Sequence, residues 1–116
     1  MHTVVETPAF LSAAKAAAMS DQTRAEIVAT LAANPKLGEL MEGTGGLRKF
    51  RFSKPGMGKS GGYRVCSYFH SQDYPVFLIT VFGKNVKANL SRTERNQIAA
   101  FLKGLATKYP AKGKAE

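Results

Sequence analysis

A single cysteine, Cys66, is all the thiol chemistry that this chain of 116 residues carries. One thiol excludes an internal disulfide and a cysteine-based zinc site, and the role expected for it is that of a small buried apolar residue. Histidine is nearly as scarce: His2 is terminal and His70 stands alone, so each is expected to be structural or solvated. No carboxylate pair and no His/Asp/Glu cluster has the spacing that a two-metal site needs. No apolar run approaches the ~20 residues of a membrane span. The Ala-rich stretch 8–19 lacks a basic lead-in, contains Lys15 and follows Glu6, so a surface helix is expected there rather than a secretory signal. Nothing in the sequence points away from the cytoplasm.

Acidic residues are the other shortage. Eight Asp and Glu face 17 Lys and Arg, for a formal net charge of +9. The imbalance is local. Residues 47–95 hold ten basic residues and two acidic ones, about +8, whereas residues 1–46 come to about −2. A solvated basic face is the ordinary explanation of such a run; concentration of one sign on strands and their loops favours a polyanion-binding surface. With 44% hydrophobic and 22% charged residues the chain reads as globular. We expect one domain over residues 1–110 and a disordered basic tail over 111–116.

The stretch SKPGMGKSGG, residues 53–62, resembles a phosphate loop at Gly58-Lys59-Ser60. The first glycine of G-x-x-x-x-G-K-[S/T] is replaced by Ser53, and Gly61-Gly62 stand where the helix should begin. The residues that follow, YRVCSYFH, are aromatic and β-branched and read as a strand. A loop between two strands is the simpler reading, with Lys59 available to a nucleic-acid backbone.

The remaining pattern predicts an α/β (α+β) chain. A short edge strand is expected at 2–6, then a helix over 8–19 opened by Thr7-Pro8, and a second helix over 20–33 stopped by Asn34-Pro35. Residues 36–41 read as a short irregular or helical piece and 43–46 as a turn. Strands are expected at 47–53, 63–70 and 76–82, antiparallel because the loops between them are short. Phe50 and Phe52 share one face of the first, Lys49 and Arg51 the other. Ser91-Arg92-Thr93-Glu94 is a capping box that opens a C-terminal helix, with Ile98, Phe101, Leu102, Leu105 and Tyr109 at helical spacing.

This layout gathers cations on the sheet. Lys49 and Arg51 lie two residues apart, Arg64 enters the next strand beside them, and Lys84 begins the loop after the buried strand. Tyr63 and Tyr68 flank the patch as candidate base-stacking residues. RNA offers a chemistry that such a set supports without a metal. The 2′-OH attacks the adjacent phosphate while a base takes its proton, cations stabilise the dianionic phosphorane, and an acid protonates the leaving 5′-oxygen. A lysine among cations can serve as base or acid, and arginine supplies fixed charge and bidentate contact. No cofactor is expected.

The blocks GTGGLRK-x-R, GKSGGYRV and GKN, with LSRTERNQIAAFLKGL behind them, resemble the RelE/HigB group of type II toxins over about residues 3–108. The resemblance implies a microbial RNase fold that cleaves ribosome-bound mRNA. It also implies a cognate antitoxin, often a helix-turn-helix DNA-binding protein. Carried over by position, Lys49, Arg51 and Arg64 match residues used for phosphate handling and catalysis, and Lys84 falls beside the next functional loop. Arg48, Lys54, Lys59, Tyr68, Asn85 and Lys87 are the expected RNA contacts. Asn85 stands where better-known relatives carry arginine and Ser91 near where some carry a catalytic tyrosine, which leaves the general base and acid open. Two further readings stay open at this point: a non-enzymatic RNA- or ribosome-binding module, and a ParE-like toxin that inhibits DNA gyrase.

Overall fold

Two sets of apolar side chains, one on each face of a single sheet, organise the computed structural model, which describes residues 2–53, 62–83 and 89–108. The elements run β1 (Val4–Glu6), α1 (Pro8–Ala16), α2 (Asp21–Ala33), β2 (Glu39–Leu40), β3 (Leu47–Phe52), β4 (Tyr63–Tyr68), β5 (Val76–Gly83) and α3 (Arg92–Lys108). The sheet order is β1-β5-β4-β3-β2 among the described residues. The described residues form an α+β fold of three helices on a five-stranded sheet.

The expected antiparallel ladder holds for β3–β4 and β4–β5, and β2, not among the expected strands, joins β3 antiparallel, whereas β1 pairs with β5 in parallel, Val4 opposite Val76 and Glu6 opposite Leu78. Short connections set the hairpins; β1 and β5 are far apart in sequence, so loop length says nothing of their direction. The apolar run of β5 lies buried between β1 and β4 because helices cover both of its faces. Phe10, Ala14, Ile27 and Leu31 of α1 and α2 pack with Phe50, Val65, Val76, Leu78 and Val81 on one face. Leu102 and Leu105 of α3 pack with Leu47, Cys66, Tyr68, Phe77 and Phe82 on the other. Cys66 is fully buried, as its sequence context suggests.

Local signals place the helix starts. Thr7 Oγ1 accepts from the Phe10 amide at 3.2 Å and donates to the Leu78 carbonyl at 2.8 Å, so the cap of α1 is also its tether to β5. Ser20 Oγ accepts from the Thr23 amide, and the Ser91–Glu94 box closes reciprocally at 3.1 and 2.8 Å. The stop of α1 is different: it ends at Ala16, not at Met19. Ala18 takes φ 57°, its amide donates to the Lys15 carbonyl and the Met19 amide to the Ala14 carbonyl. That paired closure normally uses glycine, so an alanine there gives the sequence no stop signal. Residues 36–41 also differ from the expectation, contributing the two-residue edge strand β2. Gly38 makes this possible: at φ 105° it lies so close to β3 that a Cβ would sit 2.5 Å from the Lys49 carbonyl oxygen. Among the described residues no helix is long and apolar enough to cross a membrane. The tail 111–116 and the loop over 54–61 lie outside the described residues.

Candidate nucleic-acid interface

Alternation along β3 and β4 decides which side chains meet. Leu47, Lys49 and Arg51 project to the α3 side of the sheet, opposite Tyr68, Cys66 and Arg64 respectively. Leu47, Cys66 and Tyr68 are buried in the α3 core. Farther along the same face Lys49 is half-buried and Arg51 exposed, so the apolar cover gives way to a cationic surface near the β3–β4 turn end. Arg64 faces Arg51 across β3–β4 and Phe82 across β4–β5. The three cations named from sequence are thus brought together by strand register.

Two features mark this surface. Arg51 and Arg64 are directly opposed like charges, which concentrates positive charge on this face. In addition, Arg64 Nη1 is buried and has no hydrogen-bond partner among the described residues. A buried charged donor without an acceptor costs free energy, which an oxyanion returns once the side chain turns to meet it. Among the described residues, no three His, Cys, Asp or Glu side chains come together as a metal-binding group.

Other expected contacts sit elsewhere. Arg48 points to the opposite face, and its Nη1 donates to the carbonyls of Lys36 and Gly38, each at 3.2 Å. It therefore clamps the chain before β2 rather than joining Lys49 and Arg51. Tyr63 also turns away, packing against the core beneath α1 and α2. Tyr68 lies on the expected face but is only 7% exposed, stacked near Phe77 and His70 with Gly46 against its edge. Its ring offers no open face to a base, which corrects the stacking role expected of both tyrosines. Burial, followed by the nearby Tyr74, raises the Tyr68 phenol above its ordinary pKa of 10.0. Lys54, Lys59, Lys84, Asn85 and Lys87 fall outside the described residues.

The strand β4 begins directly after Gly62, where a nucleotide-binding phosphate loop would need a helix. The other described cations of the basic window, Arg92 and Arg95, lie at the start of α3. Arg92 and Arg95 line a cleft with Glu42 and Asn96, and Arg95 Nη1 donates to the Glu42 carbonyl at 3.4 Å. A separate apolar groove of about 480 Å³ runs between α1 and α3, lined by Ala9, Ala13, Ile79, Phe82, Ile98 and Phe101 among others. Sequence reasoning missed Gly62: a Cβ there would lie 3.2 Å from Arg51 Nε. The Gly61-Gly62 pair was legible only as loop composition, because nothing in a sequence reports which side chain lies over a glycine.

Comparison with known proteins agrees with the fold. A family model described as the RelE toxin of the RelE / RelB toxin-antitoxin system matches residues 2–113. Among solved structures, the free state of a double arginine-to-alanine mutant of E. coli toxin RelE superposes with a TM-score of 0.55. It is 14% identical, and the match covers 87% of this chain and 96% of that one. At that identity the likeness speaks for the fold.

Proposed function

This chain belongs to the RelE toxin family, and from that premise we propose that it is a toxin that cleaves mRNA on the ribosome, using Lys49, Arg51 and Arg64 to drive 2′-OH transphosphorylation. The observation that carries the proposal is the opposed Arg51–Arg64 pair with the buried Nη1 of Arg64, which has no partner among the described residues. That arrangement suits a phosphate whose negative charge grows in the transition state. In the step itself the 2′-oxygen bonds to phosphorus, its proton leaves to a base, and the bond from phosphorus to the 5′-oxygen breaks as that oxygen gains a proton. The products are a 2′,3′-cyclic phosphate and a 5′-hydroxyl. Arginine supplies bidentate contact to the phosphate; Lys49, half-buried and opposite Glu39 across β2–β3, is the residue we assign to proton transfer. Lys84, in the segment after β5, is the fourth residue assigned to the reaction. The same cluster favours RNA cleavage over gyrase inhibition, because only the former needs cations converging on one phosphate.

A cognate antitoxin follows from the same membership, and we assign it a helix-turn-helix DNA-binding fold. It docks on the apolar surface, at β1 or in the groove between α1 and α3, and excludes the toxin from the ribosome by bulk. The test of the catalytic reading is Arg64→Ala. A folded variant should cleave translated mRNA about 10²–10³-fold more slowly, the scale for losing one preorganised donor. Undiminished cleavage and growth arrest by that variant would remove Arg64 from the chemistry. Inducing the chain and timing translation against DNA replication separates cleavage from gyrase inhibition.

A further inference from the structure

Gly62 is buried immediately before β4, beside the cationic face. A Cβ built there would lie 3.2 Å from Arg51 Nε, 3.4 Å from the Phe52 carbonyl oxygen and 3.4 Å from Ser53 Cβ. The last two are fixed by the backbone of β3 and the residue that follows it. The neighbour able to yield is the Arg51 side chain. The backbone itself does not demand glycine, since Gly62 is not among the glycines that adopt the left-handed region.

We propose that Gly62 is a positioning residue for Arg51, its missing side chain forming the seat on which the guanidinium lies when it contacts an RNA phosphate. The inference rests on the reading of Lys49, Arg51 and Arg64 as the phosphate-handling face. Bidentate contact between guanidinium and phosphate is directional, so a lateral shift of the arm weakens it more than the same shift of a point charge. An alanine at position 62 shifts Nε by a few tenths of an ångström. Since a misplacement of about 1 Å can lower a rate about 10²-fold, the expected loss is roughly 5- to 10-fold. The backbone tolerates alanine, and removing a glycine restricts the unfolded chain, so stability should be unchanged or slightly higher.

The experiment compares wild type, Gly62→Ala, Arg51→Ala and the double variant by melting temperature, cleavage of translated mRNA and binding of a short RNA oligonucleotide, the last measurable even where cleavage is lost. Gly62→Ala should melt at or above wild type and lose roughly 5- to 10-fold in cleavage, with weaker RNA binding. In the Arg51→Ala background it should change nothing further, because no guanidinium remains to be displaced. An equal loss in both backgrounds, full activity of Gly62→Ala, or a melting temperature several degrees low overturns the positioning role. Arg51→Ala with wild-type cleavage and binding overturns instead the phosphate-face reading beneath it.

Discussion

Replacing Arg64 by methionine should make the free protein more stable while disabling it. The register puts Arg64 opposite Arg51, and its Nη1 is buried without an acceptor. Leaving a buried donor unpaired costs about 1–3 kcal/mol. Because Arg64 as a whole is half-buried, the low end applies, about 1 kcal/mol. Relief of the opposed charges adds roughly 0.2–0.5 kcal/mol. Methionine keeps an unbranched apolar stem beside Phe82, the residue across β4–β5, so little packing is lost. For a domain of this size the sum corresponds to a melting temperature about 4–6 °C higher. Thermal and urea unfolding of wild type and Arg64→Met, with the mRNA cleavage assay run on the same preparations, measure both halves. A methionine variant several degrees less stable than wild type would mean that the guanidinium is satisfied in the free protein, and the argument from an orphaned donor would fail.

Further expectations follow from other parts of the structure. ATP or GTP with Mg²⁺ should leave the melting temperature unchanged, since β4 stands where a phosphate loop needs a helix; saturable binding at micromolar nucleotide would revive that reading. The raised pKa of Tyr68 means that its neutral form is favoured by folding, so its contribution is complete below pH 10.0 and is lost as pH rises through the folded value. Urea unfolding between about pH 9 and 11 should therefore show Tyr68→Phe losing less stability than wild type, and identical losses would refute the assignment. An antitoxin seated on the apolar groove should bind with affinity nearly independent of salt, whereas direct masking of Lys49, Arg51 and Arg64 would weaken steeply, because exposed charges are screened within ~8 Å at physiological ionic strength. A steep salt dependence in a titration of the complex would move the antitoxin onto the cationic face.

The parts of this fold legible in the sequence are those dictated by local chemistry. The capping box at Ser91 and Glu94, the Thr7-Pro8 start and the alternation of Lys49-Phe50-Arg51-Phe52 each determine geometry within a few residues, and each appears as read. What escaped depends on contacts between distant segments. The parallel pairing of β1 with β5 joins residues 72 apart, such as Val4 and Val76, with no loop to set direction. The left-handed Ala18 carries no glycine to announce it. At the site, spacing placed Lys49, Arg51 and Arg64 together, because register follows from alternation. It misassigned Tyr63 and Tyr68 because an aromatic in a strand reads alike whether it faces a core or a ligand. Arg48 likewise reads as one more cation, although its guanidinium closes on backbone carbonyls.

The most direct test of the account uses an mRNA carrying a single 2′-deoxy nucleotide. Primer extension on ordinary message first maps where the purified toxin cuts during translation. The same message is then prepared with the 2′-hydroxyl removed only from the nucleotide on the 5′ side of the scissile phosphate. Transphosphorylation through Lys49, Arg51 and Arg64 predicts that the substituted message is translated but not cut, and that the ordinary products end in 2′,3′-cyclic phosphate. Cutting of the 2′-deoxy message at an undiminished rate, leaving 3′-hydroxyl ends, would contradict it.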